Sequence, residues 1–172
     1  MIKLTERSAG MFFVVKGGEN NGKIVLLRRA DNGKQTFPGI YQPPVHGIIK
    51  EHENVPAALK REMKEELGER FANTVSIFDS SPLHEAGYEY KNIKREVIKV
   101  DACYRVMEIT EEQVKLIKLS EEHDDMILVG AGHIRYIVTT KQMKGTRFNP
   151  DTNIVMFPDQ LNALKKVFSI RE

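Results

Sequence analysis

The chain has 172 residues, 41% of them hydrophobic and 29% charged, enough apolar material to bury a core within one domain spanning 1–172. Its formal net charge of +2 is too close to neutral for nucleic acid to be expected as a partner on charge alone. A single cysteine, Cys103, excludes an intrachain disulfide, and no apolar run reaches membrane-spanning length. The N-terminal residues Met1–Glu6 lack an apolar signal core, so the expected location is the cytoplasm.

In chain order, Met11–Val15 and Lys23–Arg28 are short apolar runs separated by Gly17-Gly18-Glu19-Asn20 and the turn pair Asn21-Gly22, which predicts antiparallel strands. Asp31-Asn32-Gly33 marks the next turn. A proline-rich loop from Phe37-Pro38-Gly39 to Pro43-Pro44 then leads into a short strand, Val45–Ile49. The following segment predicts a helix with both ends marked. Asn54 is the N-cap, Pro56 sits in the first turn, and Gly68 takes the left-handed position after the last turn. Leu59, Met63 and Leu67 form its apolar stripe at i, i+4, i+8.

Glu62, Glu65, Glu66 and Glu69 share one face of that helix, where like charges four residues apart repel by roughly 0.2–0.5 kcal/mol per pair. Glu66 also projects within roughly 20° of Leu59, at the border of the buried stripe. A carboxylate pushed toward a core must be neutral, paired or bound to a cation. Arg61 can answer Glu65 at i+4, but one arginine is too few for four carboxylates. A hard divalent cation would relieve both the repulsion and the desolvation.

Beyond the helix, Thr74–Phe78 reads as a strand, Pro82–Tyr90 as a loop with aromatic and acidic character, and Val97–Met107 as a long alternating strand pairing with 74–78. Val114–Leu119 is a weaker strand candidate. Ser120–Asp125 reads as an acidic loop before the apolar run Met126–Val129. Ile134–Val138 extends that sheet or forms an extra hairpin, and Asp151–Asn153 is a turn. Phe157–Ile170 closes the chain as an amphipathic helix with Leu161, Leu164 and Phe168 inward and Lys165-Lys166 near its C-terminal end.

Gly47, five residues, Glu53, seven residues, then Arg61-Glu62-Met63-Lys64-Glu65-Glu66-Leu67-Gly68 resembles the Nudix box, Gly-x5-Glu-x7-Arg-Glu-U-x-Glu-Glu-x-Gly-U with U aliphatic. Every fixed position matches, and Met63 is acceptable at the first U. Glu69 departs from the last U, which touches packing at the helix exit more than chemistry.

The resemblance implies an α/β/α sandwich, a mixed sheet between helices. It also implies a hydrolase that cleaves the P–O–P link of a nucleoside diphosphate joined to a further group, using Mg²⁺ or Mn²⁺. Glu62, Glu65 and Glu66 match the metal-binding positions, and the Gly47 backbone carbonyl matches a frequent further ligand. Arg61 and Glu53 match positions that orient the others. The general base comes from the box (Glu62 or Glu65) or from a later loop, where Glu121 and Glu122 are candidates for base or further ligand; the alternative for both is a solvated acidic turn.

Phe37, Tyr41, His84 and Tyr88 (with its neighbour Tyr90) are candidates to stack on a base, against plain packing. His46 and His52 flank or interrupt the box and read first as loop histidines. The spacer Ile40–His46 before Gly47 is similar to that of the isopentenyl-diphosphate isomerase branch. That enzyme relies on a cysteine near this loop, whereas Cys103 falls in a later predicted strand. A Nudix-fold module that binds without turnover is a further alternative, although such modules typically lose box carboxylates. The expected partner is a nucleotide or other diphosphate-containing small molecule: oxidised dNTPs, ADP-ribose, NADH, dinucleoside polyphosphates, sugar nucleotides and RNA caps all suit the box. Neither a membrane nor nucleic acid is expected, and a homodimer stays open because many relatives are dimers.

Overall fold

The computed structural model describes residues 4–34, 37–91, 97–140 and 154–169. Its spine is β1 (Leu4–Lys16), which extends well N-terminal to its apolar run and ends one residue after it. Strand alternation sends Ala9, Met11, Phe13 and Val15 to one face of the sheet and Phe12 and Val14 to the other. β6 (Val97–Thr110) lies parallel to β1 along its whole length, from Leu4↔Ile98 to Lys16↔Thr110. The other edge of β1 is shared. Its second half turns through the Asn21-Gly22 loop into antiparallel β2 (Ile24–Arg29), while its first half pairs with antiparallel β4 (Val45–Ile48), Ala9 facing Gly47.

β3 (Tyr41–Gln42) and β7 (His123–Val129) both pair with β2, and β5 (Ser81–Lys91) borders β6. The result, among the described residues, is a mixed seven-stranded sheet. Helix α1 (Val55–Leu67) covers one face, inserting Ala58, Leu59, Met63 and Leu67 among Met11, Phe13, Val25 and Leu27. Helix α4 (Pro158–Ser169) covers the other, inserting Leu161, Leu164 and Val167 among Phe12, Ile24, Leu26, Ile98 and Val100. Each of the larger side chains buried here (Leu, Met or Val) contributes roughly 1.5–3 kcal/mol. The architecture is the expected α/β/α sandwich. No helix among the described residues is long and apolar enough to cross a membrane.

Helix α1 obeys its sequence at both ends. Asn54 Oδ1 accepts the Ala57 N–H at 2.9 Å, and Pro56 occupies the first turn. Gly68 differs in detail: at φ 86°, ψ 151° it lies outside the left-handed helical well, and the chain restarts at once as the short α2 (Glu69–Ala72). Glu69 therefore stands beyond α1, not on its acidic face, and its carboxylate meets Lys64 Nζ at 3.4 Å.

Four expectations are corrected. Segment 74–78 is not a strand, since Ile77–Asp79 forms a 3₁₀ turn, and β6 pairs instead with β5. β5 occupies the segment read as a loop. Its half-buried His84, Ala86, Tyr88 and Tyr90 alternate with exposed Glu85, Gly87 and Glu89, a period-two pattern carried by polar and aromatic side chains instead of aliphatic ones. Val114–Leu119 is no strand either. Helix α3 (Glu111–Val114), fixed by the reciprocal capping of Thr110 and Gln113, ends where that strand is expected to start, and 115–119 follow as turn and irregular chain. Ile134–Val138 is mostly a 3₁₀ turn over Ala131–Tyr136, followed by β8 (Val138–Thr139), which pairs in parallel with β9 (Val155–Met156). The turn at 151–153 and Ile170 fall outside the described residues.

Candidate functional site

β4 and α1 meet so that the backbone of one lies against the carboxylates of the other. A Cβ added to Gly47 would fall 1.9 Å from Glu62 Oε1, so only glycine lets the Glu62 carboxylate rest against this strand. One residue earlier, the His46 N–H donates to Glu66 Oε2 at 3.0 Å. Glu66 is only 4% exposed, and burial pushes its pKa well up, with the Glu62 and Glu122 charges adding to the effect and the Arg29 guanidinium opposing it. Burial raises Glu62 as well, against the pull of Arg61.

Arg61 serves more partners than its i+4 neighbour. Its Nε and Nη2 grip both oxygens of Glu53 at 2.8 and 2.9 Å, and Nη1 donates to Glu62 at 2.5 Å and to Glu65 at 3.3 Å. Nη2 also reaches the Ile48 carbonyl at 2.9 Å. The guanidinium and the Lys50 N–H together hold the Glu53 carboxyl down to about 2. Arg61 thus ties the loop before α1 to the strand that carries Gly47, with Glu53 as the fixed end of the clamp.

The second wall arrives through the backbone. The Ser120 N–H donates to the Glu66 carbonyl at 3.2 Å, and the Ala30 N–H to the Glu122 carbonyl at 2.8 Å. These bonds set 120–122 across from α1, and a cleft of about 420 Å³ opens between them. Glu62, Glu65, Glu66, Glu121 and Glu122 all line it. Among the described residues no three acidic, histidine or cysteine side chains converge into a finished metal cage. The donor set nevertheless suits a hard divalent cation. Five carboxylates face one cleft, one of them is almost fully buried, and Arg61 reaches only two of those that line it.

The candidate stacking residues lie elsewhere. His84 and Tyr88 project from β5 onto the α4 face of the sheet, opposite the glutamates. His84 Nδ1 lies 2.9 Å from Lys166 Nζ, and Tyr88 packs into the core under α4. Tyr41 is buried and donates its hydroxyl to Asp125 at 2.8 Å. Phe37, half exposed at φ 60°, packs edge-on against Phe157 with ring centres 5.2 Å apart. None of the four lines the glutamate cleft. His46 is a strand residue, not a loop histidine. Its ring stacks on Tyr104 with centres 6.1 Å apart, its Nε2 is buried with no hydrogen-bond partner among the described residues, and burial lowers its pKa to about 4. His52 is exposed at φ 70°. Cys103, half buried on β6, directs Sγ to the Ser8 carbonyl at 3.5 Å and takes no part in the cleft.

Sequence reasoning missed Asn32, Lys34 and Ser120 on the cleft wall. It also missed a buried chain behind that wall. Arg29 Nη1 donates to Gln42 Oε1 at 3.1 Å, and Gln42 Nε2 lies 2.9 Å from His123 Nε2. Because the guanidinium only donates, the Gln42 amide nitrogen faces His123, whose Nε2 accepts and whose proton sits on Nδ1. No spacing rule links these residues to the box. Only the pairing of β2 with β3 and β7 brings them together.

The NUDIX domain family model matches residues 5–135. Among solved structures the chain is similar to the MutT protein from Methanosarcina mazei Go1, at 17% identity and TM-score 0.64, covering 100% of this chain and 99% of that one. It is similar to a C. elegans Ap4A hydrolase in a binary complex, at 16% identity and TM-score 0.53 over 96% and 97% of the two chains. The NUDIX domain of Shewanella oneidensis NrtR complexed with ADP ribose matches at 12% identity and TM-score 0.57 over 100% and 90%. No curated protein sequence matches. At such identities the solved structures speak for the fold, and it is the family model, spanning most of the sequence, that fixes membership. The chain belongs to the Nudix family of hydrolases, which act on pyrophosphate bonds.

Proposed function

We propose that the protein is a single-domain, cytoplasmic hydrolase dependent on Mg²⁺ or Mn²⁺, cleaving the P–O–P link of a nucleoside diphosphate joined to a further group. The observation that carries this reading is the buried Glu66 carboxylate, set in a cleft with four other glutamates. A divalent cation bound there supplies Lewis acidity and lowers the pKa of water. Glu62, Glu65 and Glu66, with the Gly47 carbonyl, would hold it, and Glu121 or Glu122 would add a ligand from the opposite wall. Arg61 and Glu53 keep the Glu62 carboxylate turned toward Gly47.

Hydrolysis forms one bond from a water oxygen to phosphorus and breaks the bridging P–O bond, so the bridging oxygen leaves on the other phosphate. Glu65, touched by Arg61 only at 3.3 Å and open to the cleft, takes the proton that the attacking water sheds. Cys103 sits away from the cleft, which gives the isomerase alternative no support. The test is a panel of diphosphate compounds incubated with Mg²⁺ and with Mn²⁺, products read by mass. Cleavage at a P–O–P bond is expected for at least one member, and no cleavage of any member overturns the reading.

A further inference from the structure

Binding sites for organic ligands are lined mainly by apolar and aromatic side chains, with a few polar groups placed among them. The glutamate cleft inverts that pattern: among the described residues every side chain lining it is polar, and none offers a face on which a base could stack. Its volume of about 420 Å³ therefore suits phosphate oxygens and cations, with the organic part of a substrate outside. Lys34 is the one cationic side chain among the described residues that line it.

Lys34 is fixed at its backbone and only weakly paired at its tip. Asn32 Nδ2 donates to the Glu121 carbonyl at 2.8 Å, and Asn32 Oδ1 accepts the Lys34 N–H at 3.0 Å, so one amide ties the 31–34 turn to the opposite wall. The Lys34 ammonium lies 3.5 Å from Glu121 Oε2, with both side chains largely exposed. An exposed pair of this kind is worth about 0–1 kcal/mol, so the ammonium leaves it readily for a more highly charged anion. A phosphate esterified on one side only carries a second negative charge that a phosphate esterified on both sides lacks.

We propose that Lys34 binds the terminal, unesterified phosphate of the substrate. The preferred substrates are then compounds with a free phosphate end, of the nucleoside triphosphate kind, over diphosphates esterified at both ends. This rests on the hydrolase reading of the cleft.

The test measures binding by calorimetry in the presence of Mg²⁺, with inorganic tripolyphosphate as the free-ended probe and ADP-ribose as the doubly esterified one. Lys34→Ala is expected to weaken tripolyphosphate binding roughly 10-fold while changing ADP-ribose less than twofold, and Lys34→Arg is expected to hold tripolyphosphate within about twofold. Equal weakening of both ligands, no change in either, or tighter binding of ADP-ribose than of tripolyphosphate by the unaltered protein overturns the assignment. Lys34-dependent binding without cleavage of any diphosphate would support the assignment and overturn the hydrolase reading alone.

Discussion

Replacing Glu66 by glutamine separates what the site costs the fold from what it gives the reaction. The two side chains have the same shape, and the amide oxygen can still accept the His46 N–H that now reaches Glu66 Oε2 at 3.0 Å. What disappears is a charge that is 4% exposed and faces Glu62 and Glu122. Each unit by which burial raises that carboxyl above its ordinary pKa, up to the ambient pH, corresponds to about 1.4 kcal/mol of stability forfeited at neutral pH. Without divalent cation, Glu66→Gln should therefore melt at or above the unaltered protein, where 1 kcal/mol moves the midpoint by about 2–4 °C in a chain of this size.

Added cation reverses the order. At 100 times its dissociation constant it stabilises the unaltered protein by about 2.7 kcal/mol; a tenfold weaker site at the same concentration gains only about 1.4 kcal/mol. Loss of several kcal/mol of transition-state stabilisation should lower turnover by roughly 10³-fold or more. Calorimetric melting with and without Mg²⁺, alongside product release, reads all three effects. A variant that keeps its cation-induced shift and turns over within tenfold of the original would refute the placing of Glu66 at the centre of the site.

Gly47→Ala forces a methyl group to within 1.9 Å of Glu62 Oε1, so the Glu62 carboxylate must leave both the strand and Arg61. A loss of about 1–3 kcal/mol in stability and about 10²-fold in turnover is expected, read by melting and kinetics; unchanged kinetics would mean that the contact has no catalytic use. Asn54→Ala removes the α1 cap and should cost about 1 kcal/mol, or about 2–4 °C, with turnover at 25 °C unaltered. His46 and His123 are each lowered by burial to about 4 from an ordinary value near 6.5. Both stay neutral in the fold while the unfolded chain gains protons below 6.5, so stability is complete above that pH and drains away toward pH 4. In the Glu66→Gln protein, where the most deeply buried carboxylate no longer offsets this and only the partly buried Glu62 opposes it, moving from pH 7.5 to 5.0 should forfeit up to about 2 kcal/mol per histidine. A melting temperature that does not change between those two pH values would refute their burial as neutral rings.

The parts of the fold that the sequence makes legible are those where one residue type has one physical use. Asn54, Pro56, the Leu59–Met63–Leu67 stripe and the intrusion of Glu66 into it describe α1 almost completely, because caps and burial leave period and composition behind. β5 was hidden because its inward positions are His84, Ala86, Tyr88 and Tyr90, which a hydrophobicity reading counts as loop. The capping signal for α3, Thr110 followed three residues later by Gln113, was present, yet the apolar residues after it suggested a strand. The cleft is legible in its carboxylates alone, Glu62, Glu65 and Glu66 on α1 and the candidates Glu121 and Glu122 across from them. The box names the α1 carboxylates, whereas Asn32, Lys34 and Ser120 reach them through strand pairing between distant segments, which leaves no local trace.

His46 makes the two faces of the sheet a single mechanical part. Its backbone anchors an acidic side chain under one helix, while its ring is wedged in a stack with Tyr104, whose hydroxyl donates to Asp159 on the other helix. A substitution at Tyr104 or Asp159, made with only the far surface in mind, would loosen the strand from which the acid hangs. Remote changes on that side should be screened as edits to the proposed reaction centre, and a variant chosen there for improved packing is expected to change activity as well.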